Sequence, residues 1–208
     1  MRIIKTPVNN QKAKLFYLSG YAQEGDGTFD ALFSKSTLKQ NFKELFYDRN
    51  IETHACEYDT SDTHFEVFNK AREYVIKNQI DFVFGFCYGS FPGLHCAVKT
   101  NVKGVILLDS STKVPDWSET GITKNLTKPI PMIMMPHINC PVKLFYSEWG
   151  ASNKIETEKR LKTEYIKNID IEIIKDSTHA IMLEPQRFTL MNKIMEFIDA
   201  QLPSLEKR

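Results

Sequence analysis

The chain has 208 residues, a length that suits one domain with a full hydrophobic core. Hydrophobic residues make up 42% and charged residues 25%, which excludes a disordered chain, a coiled coil and a collagen-like fibre. With 27 Lys and Arg against 26 Asp and Glu, the net charge is +1, so no electrostatic footprint for nucleic acid or an anionic membrane is expected.

The longest apolar stretches, such as Gly104–Leu108, are far below a membrane span. The opening Met1-Arg2-Ile3-Ile4-Lys5-Thr6 lacks the apolar region of a secretory signal, so a cytoplasmic protein is expected. Cys56, Cys87, Cys96 and Cys140 match no zinc or redox spacing, and the thiols read as reduced. No cofactor or metal is expected.

Strand-like and helix-like segments alternate along the chain. Leu15–Leu18 reads as a strand ending in a turn at Ser19-Gly20. Thr28 is a candidate cap for a helix running through Phe46 or Tyr47, with Phe29, Leu32, Phe33, Leu38, Phe42 and Leu45 on its apolar positions. Ile51–Tyr58 alternates as a strand. Asp62 precedes a helix marked by Phe65, Phe68, Ala71, Tyr74 and Val75. Phe82–Phe86, Val105–Leu108 and Val142–Tyr146 read as buried strands, and Ile169–Ile174 as an alternating one. The last helix spans about Pro185 to Leu202. The segment of about 112–139, broken by Pro115, Pro129, Pro131 and Pro136, reads as a short lid-like insertion, or as an irregular crossover whose methionines fill the core. Strands separated by helices predict a mostly parallel central sheet with helices on both faces. Sites in such sheets lie beyond the C-terminal strand ends.

One such end carries Gly85-Phe86-Cys87-Tyr88-Gly89, the G-x-C-x-G pattern of a nucleophile elbow with Cys at its centre. The tight strand-to-helix turn needs glycine two residues either side of the nucleophile, where side chains collide. It sets the sulfur at a helix N-terminus, which favours thiolate. The N–H of Tyr88 is a candidate oxyanion donor, and a second is expected from Tyr21 or Ala22 after the first strand. The alternative is a buried structural cysteine between incidental glycines.

A thiol nucleophile needs a base. His179 follows the last strand and is the candidate; His54, His64, His95 and His137 fall in a strand, at a helix start, inside the helix after the elbow and in the insertion. For the acid, Asp109 at the end of Val105–Leu108 is preferred over Glu148, the only carboxylate in Tyr146–Asn153.

The order Cys87…Asp109…His179 resembles the α/β-hydrolase fold. Within it, Leu15–Ala22, Gly85–Gly89, Val102–Ser110 and His179 resemble the thioesterases of nonribosomal peptide and polyketide synthesis. Most members carry Ser at the elbow, and the loop at Ser19–Ala22 lacks their usual prolines and paired glycines. The resemblance implies a single α/β-hydrolase domain over 1–208 that releases an acyl or peptidyl group from a carrier-protein phosphopantetheine thioester, through a Cys-His-Asp triad and an acyl-enzyme. The alternatives are a Cys-dependent carboxylesterase, a dienelactone-hydrolase-like enzyme, an acyl-carrier methyl esterase, and a non-catalytic binding protein on the same fold.

Overall fold

The computed structural model describes residues 1–20, 33, 38–57, 62–110, 138–150 and 169–203. The start of the helix expected from Thr28, the candidate oxyanion residues Tyr21 and Ala22, and nearly all of the lid-like insertion lie outside the described residues.

The described strands form one sheet of seven: β1 (Arg2–Thr6), β2 (Ala13–Leu18), β3 (Ile51–Glu57), β4 (Phe82–Phe86), β5 (Gly104–Leu108), β6 (Val142–Trp149) and β7 (Ile169–Thr178). Their spatial order is β1-β3-β2-β4-β5-β6-β7. Only β1 runs antiparallel, against β3; the other pairs are parallel. The described helices are α1 (Phe42–Tyr47), α2 (His64–Asn78), α3 (Ser90–Ala97) and α4 (Arg187–Gln201).

Period-two alternation sends successive side chains to opposite faces of the sheet, and here both faces are dry. Leu15, Tyr17, Phe82, Phe84, Phe86, Ile106, Leu108 and Phe145 meet Phe42 and Phe46 of α1 and Leu190, Met191 and Ile194 of α4. Their neighbours Phe16, Leu18, Val83, Val105, Leu107 and Leu144 meet Ala71 and Val75 of α2 and Leu94 and Ala97 of α3. Burial on both sides is why β4 and β5 read as unbroken apolar runs rather than alternating ones.

Two elements differ from the sequence reading. The helix expected to continue into Phe46 is interrupted at Gln40, whose φ is 55°, and α1 starts afresh. Asn41 caps it, accepting from Glu44 N–H at 3.0 Å while the Glu44 carboxylate accepts from Asn41 N–H at 3.0 Å. This reciprocal capping box outweighs the apolar periodicity that spans the break. As expected, Asp62 precedes α2, whose cap is Thr63; Asp62 pairs with Lys70 at 2.5 Å. Strand β1 was not expected at all, because five residues around Ile3-Ile4 give too short a pattern to stand out.

Candidate active site

Strands β2, β4, β5, β6 and β7 all point their C-terminal ends to one edge, where the candidate residues gather. The chain leaves β4 through a single 3-10 turn, Cys87–Gly89, directly into α3. Cys87 sits in that turn with φ of 50°, a left-handed conformation that costs a non-glycine residue about 1–3 kcal/mol. The flanking glycines are sterically required. A Cβ on Gly85 would lie 2.5 Å from Gly89 O, and one on Gly89 would lie 2.0 Å from Leu18 O. The second contact shows how tightly the elbow is pressed against the end of β2. Gly20 lies there too, and a Cβ on it would come 3.2 Å from Cys87 Cβ. The loop expected to give the second oxyanion donor therefore starts beside the sulfur. Tyr88, the residue after Cys87, is buried in the turn.

The four thiols are sharply different. Cys87 is half-buried and opens to the strand-end edge, whereas Cys56 and Cys96 are sealed in the core. Burial pushes the Cys56 and Cys96 thiols well up, and Cys140 up to about 11. These three belong to packing.

Asp109 follows β5, also with a positive φ of 49°, and its side chain is fully buried. His179 Nδ1 lies 2.9 Å from Asp109 Oδ2. A carboxylate only accepts, so Nδ1 carries the proton and Nε2 is left for another partner. Burial alone would lower the imidazole pKa, but hydrogen bonding to Asp109 and to Cys87, with the negative charge of both, outweighs it and raises the pKa to about 10. The ring of Phe86 packs against the imidazole, centroid to centroid 4.8 Å. Asp109, His179 and Cys87 are thus brought together from three strand ends. Glu148, the competing acid, is turned elsewhere: its carboxylate accepts from Asp176 N–H at 2.8 Å.

The remaining histidines stand apart from this edge as far as they are described. His54 is buried in β3 against Tyr74 and Glu52. His95 is on α3 with its ring packed on Phe68 at 5.5 Å. His137 lies outside the described residues.

Sequence reasoning missed the residues that hold the site. Ser147 donates its backbone N–H to Asp109 Oδ1 at 2.8 Å and its hydroxyl to Asp109 Oδ2. Gly150 closes over the same carboxylate: a Cβ there would lie 2.8 Å from Asp109 Oδ1 and 2.5 Å from Ser147 Oγ. Glu184 fastens the His179 loop from below, accepting from Thr178 N–H at 3.0 Å and from the Thr178 hydroxyl. No spacing pattern marks Ser147 and Gly150, because the carboxylate they hold lies on another strand.

Among the described residues, no group of His, Cys, Asp and Glu is arranged to hold a metal ion, and no helix is long and apolar enough to cross a membrane. A cleft of about 540 Å³, lined by Val142, Lys143, Ile169 and Glu172, lies at the opposite ends of β6 and β7.

No family model matches the chain, and no curated protein is similar to it in sequence. Solved structures are similar over almost the whole chain. A carboxylesterase structure from Nitrososphaera gargenis matches with a TM-score of 0.72 at 11% identity, covering 96% of this chain and 94% of that one. MenH from S. aureus matches with a TM-score of 0.70 at 12% identity, covering 97% and 99%. The monoacylglycerol lipase of Paleococcus ferrophilus matches with a TM-score of 0.68 at 14% identity, covering 97% and 100%. The chain has the α/β-hydrolase fold.

Proposed function

We propose that the protein cleaves or transfers acyl groups through a covalent Cys87 acyl-enzyme, with an acyl thioester as substrate. The observation that supports this most is the 2.9 Å contact between His179 Nδ1 and the buried Asp109 carboxylate, on an imidazole whose pKa is raised by both Asp109 and Cys87.

In this reading the Cys87 thiol passes its proton to His179 Nε2 and the sulfur attacks the carbonyl carbon. The Tyr88 N–H and an N–H from Tyr21 or Ala22 stabilise the oxyanion. As the tetrahedral adduct collapses, the carbon–sulfur bond to the leaving group breaks, and the departing thiolate takes the proton from His179. Water, an amine or a hydroxyl then attacks the acyl-enzyme, giving its proton to His179 and regenerating Cys87. Asp109 holds the imidazole tautomer and balances the imidazolium. Exchange of one thioester for another is nearly neutral in energy, so the acyl group stays activated for aminolysis or cyclisation as well as hydrolysis. A phosphopantetheine thioester on a carrier protein is the substrate that the sequence resemblance favours.

A second reading is a Cys-dependent carboxylesterase acting on small oxyesters. It is favoured by the fold neighbours described as a carboxylesterase and a lipase.

Intact-mass measurement tests both. Incubation with acyl pantetheine thioesters is expected to add one acyl group to the wild type and none to Cys87→Ala. An adduct that survives in Cys87→Ala, or no adduct and no turnover with thioesters and p-nitrophenyl esters alike, defeats the nucleophile assignment. Faster acylation by simple oxyesters than by thioesters selects the second reading. A carrier-bound acyl thioester that reacts no better than its pantetheine analogue removes the carrier protein as partner.

A further inference from the structure

We infer that Ser147 is a positioning residue that fixes the Asp109 carboxylate toward His179, an inference that rests on the proposed acyl-enzyme chemistry. Asp109 leaves β5 in a left-handed conformation, φ 49°, and the neighbouring strand reaches across to its carboxylate. Ser147 supplies two donors, one to each oxygen: its N–H to Oδ1 at 2.8 Å and its hydroxyl to Oδ2. The same Oδ2 receives His179 Nδ1–H at 2.9 Å.

Together the two Ser147 donors hold both carboxylate oxygens independently of His179, whereas the N–H alone would leave Oδ2 held only by the imidazole it is meant to orient. The backbone N–H of Ser147 is present whatever side chain it carries. The hydroxyl is therefore the part of the pair that the sequence controls, and it binds the oxygen that faces the imidazole. Ser147 is itself fully buried, so water cannot readily replace it. Gly150 keeps this arrangement compact, since a Cβ there would strike both Ser147 Oγ and the carboxylate. The end of β6 thus acts as a cradle for an acid carried by β5.

The isosteric pair Ser147→Thr and Ser147→Val separates the hydroxyl from packing, with Ser147→Ala as the smaller variant. Two readouts apply. In the full chain labelled with 15N-histidine, the Nδ1 proton shared with a carboxylate gives a strongly downfield resonance. It is expected to persist in Ser147→Thr, and in Ser147→Val and Ser147→Ala to move upfield or vanish by exchange with water. In turnover, the two hydroxyl-free variants are expected to lose kcat by up to about 10²-fold, the scale of a small misplacement of a reacting group, with KM unchanged. Equal resonances and equal kcat for folded Ser147→Thr and Ser147→Val would overturn the inference. So would a wild-type resonance in Ser147→Ala. The resonance needs no substrate: if it responds as expected while Cys87 is never acylated, Ser147 still positions Asp109 and the acyl-enzyme reading is what fails.

Discussion

Among the described residues, His54 and His179 each contact a carboxylate, and the two imidazoles are driven in opposite directions. In β3, His54 Nε2 meets Glu52 at 2.5 Å and Nδ1 meets the Tyr74 hydroxyl at 2.8 Å. Yet its pKa is lowered: burial dominates, the Glu52 hydrogen bond and charge oppose it, and Lys5 and Lys14 assist it. At the strand-end edge, burial acts on His179 in the same sense but loses to Asp109 and Cys87, and the pKa rises to about 10. A short contact to a carboxylate is therefore not what charges a histidine. The His54 side chain is 2% exposed with two lysines nearby; that of His179 is 36% exposed with a second negative partner in the sulfur. Desolvation lowers both pKa values, and the sign of the remaining neighbours decides the outcome. The neutral His54 imidazole links its two partners, Tyr74 O–H donating to Nδ1 and Nε2–H donating to the Glu52 carboxylate. Tyr74 agrees with this: burial, then the Glu52 charge, pushes its hydroxyl up to about 12. One imidazole is biased toward its neutral form, the other toward its charged form.

The strongest way to break this contrast is Asp109→Asn. It removes the buried negative charge and leaves His179 with burial and Cys87, so its pKa is expected to fall well below 10 and its tautomer to be lost. Loss of the orienting carboxylate is expected to cut kcat by about 10³–10⁴-fold. Histidine NMR titration and turnover with the best acyl donor check both. An unchanged His179 titration would remove Asp109 from the pair.

Gly150→Ala is milder, because it displaces the carboxylate without neutralising it. Its Cβ would sit 2.5 Å from Ser147 Oγ and within 3.0 Å of both Asp109 oxygens, so the cradle must shift. Overpacking of this kind costs about 1–3 kcal/mol of stability, and a displaced acid is expected to lower kcat by about 10-fold. Chemical denaturation and initial rates measure the two effects. Wild-type values for both would mean that the carboxylate moves without consequence.

The two pairs also differ in how much of them a sequence displays. That Cys87 and His179 meet at one sheet edge was legible because local rules place them: a glycine two residues either side of a tight strand-to-helix turn, and a histidine just after the final strand. Asp109 was legible as one of two candidates, since the end of β5 and the end of β6 each carry a carboxylate. What separated it from Glu148 is the direction in which each side chain leaves its strand, set here by the left-handed turn at Asp109 and by Asp176 N–H claiming Glu148. Ser147 and Gly150 carry no local signature, because their partner is 38 residues away from Ser147. The core strands were read well from their apolar runs. The break at Gln40 was not, because a capping box at Asn41–Glu44 leaves the apolar spacing on either side intact. The short antiparallel β1 has only pairing with β3 to define it.

The smallest expected effect lies in the pH dependence of stability, where the two histidines tilt the curve at opposite ends. His179 has a folded pKa raised above 6.5, so its contribution is fully present below pH 6.5 and is lost as pH rises toward and through about 10. His54 has a folded pKa below 6.5, so the unfolded chain binds this proton first, and stability falls as pH drops through 6.5 toward the folded value. Glu52→Gln keeps an acceptor for Nε2–H but removes the charge that supports imidazolium. It is expected to lower the His54 pKa further and steepen the loss of stability below pH 6.5, while leaving the alkaline side and kcat unchanged. Urea midpoints taken from pH 4.5 to 10.5 read both limbs in one series. If the acid limb is unchanged or shallower in Glu52→Gln, the Glu52 charge does not support the His54 imidazolium, and this account of the pair fails.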